Sequence, residues 1–111
     1  MKLHFSTAVV CITLFLGACA KRPDAITPVA IPASAYSNMG CKELTTAMIS
    51  ERTNLNALSS AQNSAATGDA FGVFLIGVPL GSVSGGDKEG LIAVSKGKIT
   101  AMEGELLRQR C

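Results

Sequence analysis

Catalysis and metal binding need nucleophiles, titratable groups or ligands within reach of one another, and this 111-residue sequence offers few. Its one histidine is His4, and the carboxylates do not cluster, so neither a general acid–base pair nor a metal-ligand set is legible. No catalytic residue, metal site or cofactor is expected, and the chain does not read as an enzyme. The stretch Ser82-Val83-Ser84-Gly85-Gly86-Asp87-Lys88 invites a phosphate-loop reading. It fails on spacing, because Asp87 stands where a P-loop needs lysine and its carboxylate repels phosphate. Ser84 or Asp87 as the cap of a following helix accounts for it better. Glu51 falls at a core-like helical position and reads as a partly solvated seam residue. The remaining reactive side chains are four cysteines, Cys11, Cys19, Cys41 and Cys111, and their surroundings differ.

Met1-Lys2 is followed by a mostly apolar run from Phe5 to Leu16, then by small residues and Cys19. A basic start, a run of that length and small residues at its end make a secretory signal peptide. A membrane-spanning helix needs about 20 apolar residues, and Lys21-Arg22 end this run too soon. Leu16-Gly17-Ala18-Cys19 resembles the lipobox of small bacterial lipoproteins. That resemblance implies that the Cys19 thiol receives diacylglycerol, that residues 1–18 are cut away and that the new amine is acylated, commonly with palmitate. Ala20 in place of aspartate after the cysteine resembles the pattern of cargo sorted to the outer membrane. The expected location is therefore that membrane, facing the periplasm or the cell surface.

Given the lipobox reading, Cys11 leaves with the leader and Cys19 carries lipid. Cys41 and Cys111 are then the thiols left in an oxidising compartment, with one intramolecular pairing open to them. Loss of Lys2 brings the formal net charge from +2 to +1, which gives no basis for binding nucleic acid. A domain of about 70 residues remains; at that size a chain buries only about 60% of its unfolded surface and profits from a covalent staple.

Three elements must position these groups. Residues 19–40, with Pro23, Pro28 and Pro32, read as a lipidated cysteine followed by an irregular linker. Residues 41–111 read as a helical domain. Its first helix, 41–67, follows from Leu44, Ala47, Met48, Leu55, Leu58, Ala61 and Ala65 at spacings of three and four. Ser37, Asn38 or Gly40 suit its start, Glu43 suits the dipole of the first turn, and Gly68 suits its end. The second helix, 87–110, carries Leu91, Ile92, Ile99, Met102 and Leu106 as its apolar stripe. Gly90, Gly97 and Gly104 recur every seven residues beside Ala93 and Ala101. Each glycine costs a helix up to about 1 kcal/mol, so the stripe calls for a packing partner. The expected partner is the small stripe Ala57, Ala61 and Ala65 of the first helix, with self-association as the other use. Cys41 opens one helix and Cys111 closes the other, so a bridge between them demands an antiparallel pair. The fold class is all-α, a two-helix hairpin clamped by a disulfide and joined by a glycine-rich apolar segment.

That segment, residues 69–83, holds Phe71, Phe74, Leu75 and Ile76 but is broken by Gly72, Gly77, Pro79 and Gly81. Three arrangements are open, the first helix continuing for two turns and bending at Gly77-Val78-Pro79, a packed loop or a short strand, and a short helix followed by a loop is the one expected. Its large side chains either fill the small core or contact a partner or membrane. The functional expectation is a lipid-anchored, non-enzymatic envelope protein with a structural or adaptor role, touching the membrane through Cys19 and an envelope protein or its own copy elsewhere. The alternative is a membrane-active, lysis or toxin-like lipoprotein acting through Phe71 to Leu80.

Overall fold

The structure is a computed structural model describing residues 20–76 and 88–111, with the side chains of 69–76 excepted. The expectations for Cys19, the leader, Gly77–Val83, Ser84 and Asp87 lie outside the described residues. Two helices dominate: α1, Cys41–Ile76, and α2, Glu89–Arg108. They pack against each other antiparallel, and the disulfide between Cys41 and Cys111 closes the hairpin with a Cα–Cα distance of 5.6 Å. Among the described residues there is no strand. The expected clamped hairpin is therefore the fold.

Gly40 precedes α1. Its carbonyl accepts the Leu44 N–H at 2.9 Å, and its own N–H donates to Glu43 Oε2 at 3.2 Å. Glu43 thus reaches back across the first turn, where a carboxylate also favours the helix dipole. The expected stop at Gly68 does not occur; of the arrangements open for the following segment the continuation of the first helix holds, and α1 runs on to Ile76 for 36 residues, about 54 Å. A glycine ends a helix only where the backbone turns left-handed. Inside one it costs about 1 kcal/mol, less than losing the hydrogen bonds of two further turns.

The seam between the helices follows a strict four-three spacing. In α1 it takes Leu44, Met48, Glu51, Leu55, Leu58, Gln62 and Ala65, and in α2 Ile92, Ser95, Ile99, Met102 and Leu106, all buried or half-buried. This is the heptad pattern of two helices that stay in register over several turns. Leu91 does not join it and is 57% exposed. At its C-terminus α2 ends in a Schellman motif: Cys111 N–H donates to Leu106 O and Arg110 N–H to Leu107 O, with Arg110 left-handed at φ 56°. The sequence expectation ran α2 to Arg110, but this turn stops it at Arg108.

The largest departure from expectation is the proline-rich segment. Residues 20–40 form no free linker but a third layer, antiparallel to α1 and parallel to α2, with short 3₁₀ turns at Pro23–Ala25 and Ala33–Tyr36. Proline forbids a long helix there, but nothing prevents an extended segment from bonding along a helix whose side chains are small. Val29 N–H donates to Ala93 O at 2.9 Å. A Cβ on Gly97 would lie 2.2 Å from Val29 O, and one on Gly104 would lie 3.3 Å from Ala33 Cβ. The glycine stripe therefore receives the N-terminal segment and not α1, whose Ala57 and Ala61 are exposed.

Candidate functional site

The end of the hairpin away from the disulfide gathers all three layers, and Gln62 ties them together. It sits at a seam position with no exposed surface. Its Nε2 donates to Lys21 O at 2.7 Å, while its Oε1 accepts the Lys88 N–H at 2.5 Å. One side-chain amide thereby joins the incoming segment to the start of α2, whose first N–H groups have no side-chain cap from Lys88. Beside it Ala20, 8% exposed, packs with Ala65 and Ala66. Lys21 Nζ pairs with Glu89 Oε1 at 2.9 Å, and Arg22 Nη1 reaches Asn63 O at 3.4 Å and Thr67 Oγ1 at 3.3 Å. Further along, Lys96 Nζ donates to Pro23 O at 2.5 Å and Ile26 O at 2.8 Å, a clasp between α2 and the N-terminal segment.

The disulfide end repeats the arrangement. Gln109 Nε2 donates to Met39 O and to Glu105 Oε1, both at 2.8 Å. Arg108 closes over the same carboxylate through Nε at 2.8 Å and through a second, shorter contact from Nη2 to Oε1. The Glu105 side chain has no exposed surface, yet its lid Arg108 is 61% exposed, so the carboxylate is covered and not deeply sunk. Hydrogen bonds from Arg108 and then Gln109 hold its pKa down to about 2, against the opposing effect of burial. Two shallow grooves flank this end, about 510 Å³ along Met39, Lys42 and Thr46 and about 360 Å³ along Glu103, Leu106 and Leu107. Neither is lined by a buried polar side chain.

Midway along the seam stands Glu51, its side chain 16% exposed, with Lys98 Nζ 3.6 Å from Oε2 and Asn54 Nδ2 3.1 Å from Oε1. Burial, the largest influence, pushes its pKa up; Ser95, Asn54 and Lys98 together outweigh it and leave it lowered. Ser95 Oγ is buried and makes no hydrogen bond of ordinary geometry, so it acts on Glu51 as a nearby dipole. Arg52 Nη2 meets Glu103 Oε1 at 2.8 Å on the surface alongside. These groups pin the register of two helices; among the described residues no three of His, Cys, Asp or Glu are grouped so that they could hold a metal ion.

No family model, curated protein or solved structure matches the chain.

Of the residues singled out in the sequence, Cys41 and Cys111 are brought together. Phe71, Phe74, Leu75 and Ile76 share the last two turns of α1 by their backbone, and their side chains lie outside the described set. Sequence reasoning passed over Gln62, Lys96, Glu105 and Gln109. Gln62 was within reach, since it completes the four-three spacing of α1. Lys96 was not, because its partners are backbone carbonyls more than 65 residues away. Among the described residues no helix is long and apolar enough to cross a membrane.

Proposed function

We propose that this chain is a lipid-anchored protein of the bacterial cell envelope with a structural or adaptor role and no catalysis of its own. The observation that carries the reading is the apolar run Phe5–Leu16 ending in Leu16-Gly17-Ala18-Cys19, which supplies export, cleavage and a thiol for lipid in one stretch. Two features support it. A disulfide persists in oxidising compartments such as the periplasm, where Cys41 and Cys111 stay paired. The described polar groups hold three layers in register, as suits a spacer or adaptor more than an enzyme.

The test is metabolic labelling with an alkyne-bearing palmitate analogue, followed by membrane fractionation of cells producing the full chain or its Cys19→Ser variant. The full chain is expected to carry label and to sediment with membranes, and Cys19→Ser to lose the label and keep its leader. An unlabelled wild type in the soluble fraction defeats the proposal.

A further inference from the structure

Resting on that lipid-anchored reading, we infer that the last turns of α1, residues 70–76, lie in the interfacial region of the bilayer, so that the hairpin meets the membrane by the end away from its disulfide. A flexible linker of some 20 residues would have let either end face the lipid. The structure removes that freedom, because the chain is docked from its first described residue. Ala20 is buried against Ala65 and Ala66, and Lys21 O is held by Gln62. Arg22 is bonded to Asn63 and Thr67. Cys19 is one residue further, within about 4 Å of the Ala20 Cα. Acyl chains on its thiol leave no slack between the membrane surface and this end of the hairpin.

The second observation is how far α1 continues past this docking point. The start of α2 is level with Gln62, whose Oε1 takes the Lys88 N–H, yet α1 continues to Ile76. From the Ala66 contact with Ala20 to Ile76 is a further rise of about 15 Å, directed away from Cys41. Beyond Asp69 its sequence is Ala-Phe-Gly-Val-Phe-Leu-Ile, without a charged or hydrogen-bonding side chain. With the anchor docked at Ala66, the apolar turns that continue past it, on the side away from Cys41, are the part of α1 nearest the membrane surface. Seven residues rise about 10 Å, far short of the 30 Å hydrocarbon core and close to the depth to which interfacial helices sink. The occupant of this tip is thus lipid, and the Cys41–Cys111 end is presented at a distance from it.

The chain contains no tryptophan, which makes the test direct. Single-tryptophan versions of the full, acylated protein, Leu75→Trp and separately Phe74→Trp, are reconstituted into phosphatidylcholine–phosphatidylglycerol vesicles containing bromine-labelled acyl chains. The control is Ile49→Trp, at a site 60% exposed near the disulfide end. Mass spectrometry establishes acylation and flotation establishes binding before fluorescence is read. The expected result is that both tip tryptophans lose most of their emission while the Ile49→Trp control keeps its own. Acylated, vesicle-bound protein whose tip tryptophans are quenched no more than the control overturns the inference and leaves the anchoring intact. Protein that carries no lipid overturns both.

Discussion

Glu105 is the residue on which the disulfide end most depends. It takes two nitrogens of Arg108 and one of Gln109, and Gln109 in turn holds the carbonyl of Met39, two residues before Cys41. Its folded pKa is lowered from 4.5 to about 2. A carboxylate stabilised in this way contributes fully above its unfolded pKa and loses that contribution as pH falls through the folded value. The expected outcome is a wild-type Tm that declines between about pH 4.5 and pH 2. Glu105→Gln, which is isosteric but cannot ionise, melts lower at neutral pH and shows a shallower decline over that window. Parallel melting curves for the two proteins would remove Glu105 from this role. Glu51 shifts in the same direction, but burial, the largest influence on it, opposes the shift, and its Lys98 partner stands 3.6 Å away.

At the scale of elements, the N-terminal segment and α2 behave as one unit because three glycine positions differ in what they face. Val29 O sits where a Gly97 side chain would be, and Val29 N–H is committed to Ala93 O. The segment therefore cannot slide aside without breaking its own hydrogen bond. Gly97→Ala is expected to cost about 1–3 kcal/mol and to open residues 20–40 to proteolysis. Gly104→Ala, with Ala33 Cβ at 3.3 Å, costs less. Gly90→Ala, which has nothing within 4 Å, should gain up to about 1 kcal/mol from helix propensity alone. Thermal melts of the three variants check the ranking, and an equal effect at all three would place the stripe against something other than the segment.

The whole molecule is thin, 67 × 25 × 16 Å, and its buried apolar residues are few: Ile26, Leu44, Ile92, Ile99 and Met102 are the large ones among those described. A body of that shape has little interior to hold it, so covalent closure counts for more than in a globular domain. The Cys41–Cys111 bridge spans 70 positions and restricts the unfolded chain by about 4 kcal/mol in the chain-entropy account. Cys41→Ser with Cys111→Ser is expected to lower the Tm markedly and to make it insensitive to reductant. Reduced wild type should melt near the double variant. Coincident melts of oxidised and reduced wild type would show that the three layers hold without the bridge.

Much of the hairpin was legible because its causes are local. Helical spacing marked α1 and α2, Glu43 marked a first turn, and cysteines at opposite ends of two helices allow only an antiparallel pair. The polar seam was half legible: Glu51 stood out by position, whereas Gln62 declares itself only once the four-three spacing is extended through it. Three features belonged to the tertiary structure. Gly68 carries the residue type of a helix stop, yet whether a glycine turns left-handed depends on its neighbours in the chain and on the side chains packed around it. The stripe Gly90, Gly97 and Gly104 announced a close approach without naming the visitor, since small residues admit an alanine-lined helix and an extended backbone alike. Pro23, Pro28 and Pro32 showed what residues 20–40 could not become. Where that segment lies is decided by Gln62, Lys96 and Gln109 reaching its carbonyls across 41, 70 to 73 and 70 residues. A backbone acceptor is the same at every position and leaves no mark in the sequence, so the docking of the segment appears only when the chain is folded.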